Sequence, residues 1–131
     1  MKGLDTNILV RYVVQDEPVQ GEKVAQFIEE AVASGETFFI NNVVLCELVW
    51  VLKSAYDYSK EEIADLLEKL LQISVFDFES KDEAWWALRA YRKSKVDFSD
   101  CLISRHNQSH GCSQTVSFDK GVKGIDGFVV L

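Results

Sequence analysis

Hydrophobic residues along the chain follow two spacings, one typical of strands and one typical of helices. Short β-rich runs at 2–5, 37–40, 73–78, 114–118 and 127–131 predict strands. Between them, apolar residues recur at three and four positions and predict helices over 8–14, 19–33, 43–56, 81–94 and 98–110, with a further helix after Ser59. Strands separated by helices predict an α/β fold, a single three-layer domain over residues 1–131 with a mostly parallel central sheet flanked by helices.

Helix starts are marked by residues that cap or begin helices. Thr6 or Asn7 is expected to cap the first helix, and Pro18 suits the first turn of the second. Asn41 or Asn42 is expected to cap the third, while Ser59 with Glu62 three residues later is a capping-box pattern. These signals place the boundaries of the predicted helices.

Acidic residues occupy positions where a purely structural role is least expected. Asp5 ends the first strand, Asp119 follows the strand TVSF, and Asp100 lies in the first turn of the helix FSDCLIS. Ligands of open parallel sheets bind beyond the carboxyl ends of the strands, so these acids are expected to face one crevice. Carboxylates gathered in one place repel each other unless a cation joins them, which predicts a metal site.

Glu47 interrupts the apolar helix VVLCELVWVL. On a helix it shares a face with Val44, Leu48 and Val51, so its carboxylate is expected to point into an apolar stripe. A buried unpaired carboxylate costs several kcal/mol, so Glu47 needs a partner. A metal ion is the favoured partner, and a buried ion pair with Arg or Lys is the alternative.

Each of the other acids also has an ordinary structural interpretation. Asp5 suits a helix N-cap, and Asp97 and Asp100 suit a cap and a first-turn acid favoured by the helix dipole. Asp119 suits a turn in FDKG. The combination of the acids, rather than any one of them, points to a metal site.

Polar and cationic residues near these acids are candidates for supporting roles. Thr6, Asn7 and Ser117 are placed to donate hydrogen bonds to carboxylates, water or phosphate. The candidates for binding phosphate groups, each with a solvated helix face as its alternative, are Arg11, Arg89, Arg92, Lys93 and Arg105. His106 and His110, four apart and near Cys112, have a spacing that can bind zinc, but a polar helix end is preferred because no fourth ligand of matching type is evident.

The composition bounds the compartment and the class of partner. The formal net charge of −7 argues against a protein that coats nucleic acid by positive charge alone, although bound cations would offset acidic ligands locally. The three cysteines show no CxxC spacing, and no apolar run approaches the ~20 residues of a membrane helix. We therefore expect a cytoplasmic protein with no membrane association.

The order LDTN, VLCELVWVL, DFSDCLIS and SFDKG resembles the PIN-domain nucleases, and among them the VapC-like toxins of toxin–antitoxin pairs. The resemblance spans nearly the whole chain. It implies a PIN-like fold in which a cluster of acids binds Mg²⁺ or Mn²⁺ and cleaves RNA, such as a tRNA or a ribosomal RNA loop. It also implies a homodimer and a small basic antitoxin that neutralises the enzyme.

The matching catalytic positions are Asp5, Glu47, Asp100 and Asp119. Asp5 and Asp100 are expected to be the chief metal ligands, with Glu47, Asp119 and Asp97 as further candidates. A metal-activated water would then attack the phosphodiester in line. The alternatives are a catalytically silent PIN-fold binding module and an α/β phosphatase or receiver-type domain.

Overall fold

The computed structural model describes residues 1–131 and divides the chain into two units, Met1–Ser80 and Lys81–Leu131. In the first unit, three strands form a sheet in chain order, and both neighbouring strand pairs are parallel. The elements of this unit are β1 (Lys2–Gly3), α1 (Thr6–Val14), α2 (Pro18–Ser34), β2 (Phe38–Ile40), α3 (Asn42–Ser54), α4 (Lys60–Leu70) and β3 (Phe76–Phe78).

The helix starts of the first unit follow from local hydrogen bonds. The Asn41 side chain accepts from the Val44 amide at 2.8 Å and caps α3. Ser59 Oγ accepts from the Glu62 amide while Glu62 Oε1 accepts from the Ser59 amide, so both halves of the capping box that begins α4 are present. Hydrogen bonding from the Ser59 amide, and then from the Ser59 side chain, lowers the pKa of the Glu62 carboxyl below its usual range. The helix starts predicted at Asn41 and Ser59 are therefore confirmed.

Packing in the first unit joins the helices to the sheet around one apolar core. Helix α1 packs against α2 and α3, and α3 packs against α4. The Tyr12 and Phe76 rings meet edge to face, with 5.6 Å between their centroids, so α1 also contacts β3. Fully buried side chains of this core include Leu9, Phe38, Ile40, Leu45, Leu48, Leu52, Ile63 and Leu67.

The second unit consists of two long helices followed by a parallel strand pair. Its elements are α5 (Lys81–Lys93), α6 (Phe98–Ser109), β4 (Thr115–Ser117), a short 3₁₀ turn (Lys120–Val122) and β5 (Phe128–Val130). Helices α5 and α6 pack along each other, and the Tyr91 and Phe98 rings meet edge to face at 5.9 Å between centroids. Gly127 has a φ of 93°, and a side chain there would meet Gln108 and Ser104 of α6.

The α/β class and the parallel strand directions are confirmed. The strands are shorter than predicted because backbone pairing is limited to two or three residues in each. The strand hydrogen bonds form two separate sheets, β1-β2-β3 and β4-β5. The single domain over residues 1–131 stays a prediction. None of the helices is both long enough and apolar enough to cross a membrane.

Candidate active site

Asp5 lies just beyond the end of β1 and caps α1. Its backbone is extended, and its Oδ1 accepts a hydrogen bond from the Thr6 amide at 2.7 Å. The Asp5 carbonyl also accepts from the Ile8 amide at 3.1 Å, as expected in the first turn of a helix. The structural interpretation of Asp5 as a cap is therefore correct, whereas the cap predicted at Thr6 or Asn7 is wrong because α1 already begins at Thr6. The Asp5 carboxylate, which caps α1, remains exposed at the carboxyl end of β1.

Thr6 also contacts Glu47, although 41 positions separate them in the sequence. Thr6 Oγ1 donates to Glu47 Oε1 at 3.1 Å, which joins the first turn of α1 to α3. Two of the predicted acids, Asp5 and Glu47, are thus hydrogen-bonded to the same residue. The first unit therefore brings together two carboxylates and one hydroxyl.

The predicted burial of Glu47 is wrong. Glu47 is exposed, and it shares its side of α3 with Val43 and Trp50, which are 68% and 69% exposed. Apolar residues of α3 lie on several sides of the helix, so the sequence pattern does not determine which face is buried. The buried face of α3 is the opposite one, which consists of Val44, Leu45, Leu48, Val49 and Leu52. Because Glu47 is exposed, the alternative of a buried ion pair with Arg or Lys is also wrong.

Asp97 and Asp100 lie at the start of α6 in the second unit. Asp97 is the N-cap residue by backbone conformation, and its carbonyl accepts from the Cys101 amide at 3.1 Å. Asp100 is half-buried in the first turn. Burial raises the pKa of the Asp100 carboxyl, and the negative charges of Asp97 and Asp119 raise it further. Asp97 and Asp119 therefore both act electrostatically on Asp100.

Asp119 is held by backbone and hydroxyl groups after β4. Its amide donates to Ser117 Oγ at 3.0 Å, and its Oδ1 accepts from the Gly121 amide at 2.8 Å. A Cβ at position 121 would lie 3.0 Å from Asp119 Oδ1, so glycine permits this close approach. Ser117 and Gly121 together orient an exposed carboxylate.

Asn7 and Arg11 line a cavity of about 620 Å³ between α1 and α2. Arg11 Nε donates to Gln20 Oε1 at 2.7 Å and its Nη1 donates to the Tyr56 hydroxyl at 3.2 Å, so the guanidinium is held in place. Lys23 of α2 also lines the cavity and is exposed. Lys23 stands in no motif, which is why the sequence did not point to it.

The remaining cationic candidates lie in the second unit. Arg89, Arg92 and Lys93 are exposed on α5. Arg105 lies over the indole of Trp86, with 5.3 Å between its guanidinium carbon and the ring centroid. This guanidinium therefore covers one face of the Trp86 indole.

A second polar cluster in this unit, which includes Glu83, was not recognised from the sequence. Glu83 of α5 is 9% exposed, its Oε2 lies 2.8 Å from His106 Nδ1, and its Oε1 accepts from the Ser109 hydroxyl. Glu83 shares a helical face with the buried Ala87 and Tyr91, and this spacing was the signal that could have found it.

The donor chemistry of the predicted site residues fits a hard divalent cation. Asp5, Glu47, Asp100 and Asp119 offer carboxylate oxygens that are exposed or half-buried, and Mg²⁺ binds through one or two carboxylates while keeping several waters. No three or more His, Cys, Asp or Glu side chains are grouped so that they could hold a metal ion. The candidate ligands therefore form two groups, with Asp5 and Glu47 in the first unit and Asp100 and Asp119 in the second.

Comparison with known proteins gives two matches. Residues 3–127 match the PIN domain family. A curated protein of Aquifex aeolicus (strain VF5), named VapC ribonuclease, is 33% identical over 125 residues, which cover 95% of this chain and 92% of that relative. The matched family region includes all four predicted catalytic acids.

Proposed function

We propose, on the premise that this chain belongs to the PIN-domain family, that it is a metal-dependent endoribonuclease toxin of the VapC type. Its similarity to a protein named VapC ribonuclease supports hydrolysis of RNA. The observation that carries the proposal is the shared contact of Asp5 and Glu47 with Thr6, since it gathers two acids just beyond the carboxyl end of β1.

Asp5 and Asp100 are the proposed chief ligands of Mg²⁺ or Mn²⁺, with Glu47, Asp119 and Asp97 completing the site or holding ligand waters. Burial, and then the negative charges of Asp97 and Asp119, raise the pKa of Asp100. This supports the assignment, because a bound cation would stabilise the charged form of a carboxyl group in such surroundings. When bound, the cation supplies positive charge to the reacting phosphate and lowers the pKa of water.

The other residues of the site orient these carboxylates. Thr6 holds Glu47 through its hydroxyl and Asp5 through its amide. Ser117 accepts from the Asp119 amide, while the Gly121 amide fixes the Asp119 carboxylate. Such contacts reduce the freedom of the ligands before substrate arrives.

The RNA backbone is proposed to follow cationic surfaces. In the first unit, Arg11 and Lys23 line the cavity between α1 and α2, which also includes Asn7, two residues from Asp5. In the second unit the candidates are Arg89, Arg92, Lys93 and Arg105. Because the chain carries a net charge of −7, such local groups would have to offset its repulsion of RNA.

The biological setting is part of the same proposal. A small basic antitoxin would neutralise the enzyme, since a basic side chain complements the acidic site. We further propose a homodimer that acts in the cytoplasm on a tRNA or a ribosomal RNA loop. A short neighbouring reading frame that encodes a DNA-binding antitoxin would support this setting.

The decisive experiment compares Asp5→Asn, Asp100→Asn and the matched control Asp77→Asn, an exposed acid of β3. With Mg²⁺ and total tRNA and rRNA as substrates, the two site variants should lose about 100-fold or more of the cleavage rate, while the control retains it. Circular dichroism should show the same fold in all three. Equal cleavage by wild type and by a variant that carries both Asp5→Asn and Asp100→Asn would overturn the proposal.

Calorimetry with Mn²⁺ separates the enzyme from a catalytically silent module of the same fold. The enzyme should bind Mn²⁺, and Asp5→Asn should weaken the binding. A wild-type chain that binds no Mn²⁺ at near-millimolar concentration and cleaves no RNA would be a binding module.

A further inference from the structure

The last turn of α6 and its C-cap residue carry two imidazoles on one side of the helix. His106 and His110 are four residues apart, a spacing that stacks side chains one turn above the other. Their ring centroids are 4.5 Å apart, with 52° between the ring planes. His106 is half-buried and His110 is exposed.

Both rings use the same nitrogen for hydrogen bonding. His110 Nδ1 lies 2.9 Å from the His106 carbonyl oxygen, and a carbonyl only accepts, so this Nδ1 carries a hydrogen. His106 Nδ1 faces Glu83 Oε2 at 2.8 Å, and a carboxylate acceptor likewise favours the hydrogen on Nδ1. In the neutral rings, the lone pairs therefore belong to the two Nε2 atoms.

Glu83 gives this pair a supporting partner on the neighbouring helix. It is 9% exposed, and its other carboxylate oxygen accepts from the Ser109 hydroxyl. Imidazoles that bind metals commonly donate their second ring nitrogen to a carboxylate, which fixes the tautomer and the ring orientation. The ion pair with Glu83 accounts for His106 Nδ1, and the bond to the His106 carbonyl oxygen accounts for His110 Nδ1, so the remaining nitrogen of each ring is Nε2.

We propose that His106 and His110 form a two-imidazole site for a divalent transition-metal ion, with Glu83 as the positioning residue. The two Nε2 atoms would bind the ion, and water would complete its coordination. Imidazole suits Cu²⁺, Ni²⁺ and Zn²⁺, whereas Mg²⁺ prefers oxygen ligands. The site uses none of the acids assigned to RNA cleavage, so this proposal can be tested independently of that function.

The test is calorimetric titration of the untagged full chain with Ni²⁺ in the presence of excess Mg²⁺, which competes for the carboxylates. One equivalent of Ni²⁺ should bind to the wild type and to Asp5→Asn alike. Glu83→Gln should weaken Ni²⁺ binding by about 10-fold to 100-fold, and His106→Gln and His110→Gln should weaken it at least as much.

Two controls keep the outcome clear. Cys112→Ser should bind Ni²⁺ like wild type, because Cys112 is an exposed thiol near His110 that could bind the ion by itself. His110 is exposed, so His110→Gln should retain the fold even if Glu83→Gln does not. Unchanged Ni²⁺ affinity in His110→Gln, or loss of binding in Cys112→Ser alone, would overturn the two-imidazole site.

Discussion

The hydroxyl of Thr6 donates a hydrogen bond to the carboxylate of Glu47, with 3.1 Å between Thr6 Oγ1 and Glu47 Oε1. The amide of the same threonine donates to Asp5 Oδ1 at 2.7 Å. Both contacts lie at the N-terminus of α1, where the helix dipole favours negative charge. One residue thus positions two acids that come from separate parts of the chain.

Thr6→Val should impair the enzyme without unfolding it. Valine has a similar shape but cannot donate to Glu47, whereas the backbone bond to Asp5 is retained. We expect RNA cleavage to fall by about 10-fold to 100-fold and to require more Mg²⁺. The measurement is the cleavage rate as a function of Mg²⁺ concentration. Thr6→Ser keeps the hydroxyl and should retain most of the rate, so equal rates for the two variants would refute this role.

Asp100→Asn should stabilise the metal-free chain at neutral pH. Because the pKa of Asp100 is raised on folding, the folded chain keeps this proton over a pH range in which the unfolded chain has lost it. Stability from this group is therefore present at low pH and lost as the pH rises through the raised pKa of Asp100. The gain should be below about 1 kcal/mol, because solvent screens a half-exposed carboxylate.

Urea unfolding in a metal chelator at several pH values measures this difference. Higher salt should reduce it, since screening weakens the repulsion from Asp97 and Asp119. Asp77→Asn, which removes an exposed acid from β3, is the matched control and should show a smaller gain. An advantage of Asp100→Asn that grows toward low pH would contradict the assigned sign.

Lys23→Ala should weaken RNA binding and its dependence on salt. Lys23 lines the cavity between α1 and α2, so its removal should cost a phosphate contact. The slope of log affinity against log salt should fall by about 0.7 for each lost contact with single-stranded RNA. Binding is measured in the Asp5→Asn background to prevent cleavage. Lys69→Ala, at an exposed position on α4, is the control. An equal loss of RNA affinity in Lys69→Ala would argue against a specific RNA path along the cavity.

Ser59→Ala should destabilise the chain by about 1 kcal/mol, because the Glu62 amide at the start of α4 loses its acceptor. Ser59→Thr should retain most of the stability. The exposed Ser113 provides the control, since Ser113→Ala should change the unfolding free energy by less than about 0.5 kcal/mol. Equal unfolding curves for the two alanine variants would show that the cap contributes nothing.

Features that depend on neighbouring residues could be predicted from the sequence. The caps at Asn41 and Ser59 were among them, because each joins a side chain to an amide three residues later. The order of helices and strands was predictable for the same reason. The short motifs containing Asp5 and Asp100 indicated the family, and the match to the PIN domain confirms it.

Glu47 and Glu83 show where local patterns are insufficient. Both acids lie among apolar residues on helices, yet Glu83 is buried against His106 and Ser109 while Glu47 is exposed. Helix α3 is apolar on every side, so its sequence cannot determine which side turns inward. The difference depends on the helices that pack against each one.

The sequence by itself determined the α/β class, the helix caps at Asn41 and Ser59 and the acids that identify the family. Only the tertiary structure decided that Thr6 contacts Glu47 and that Glu83 lies beside His106. Caps depend on a few neighbouring residues and form wherever those residues occur. The rotation of a helix and the contacts of its side chains depend instead on burying the most apolar surface against distant parts of the chain.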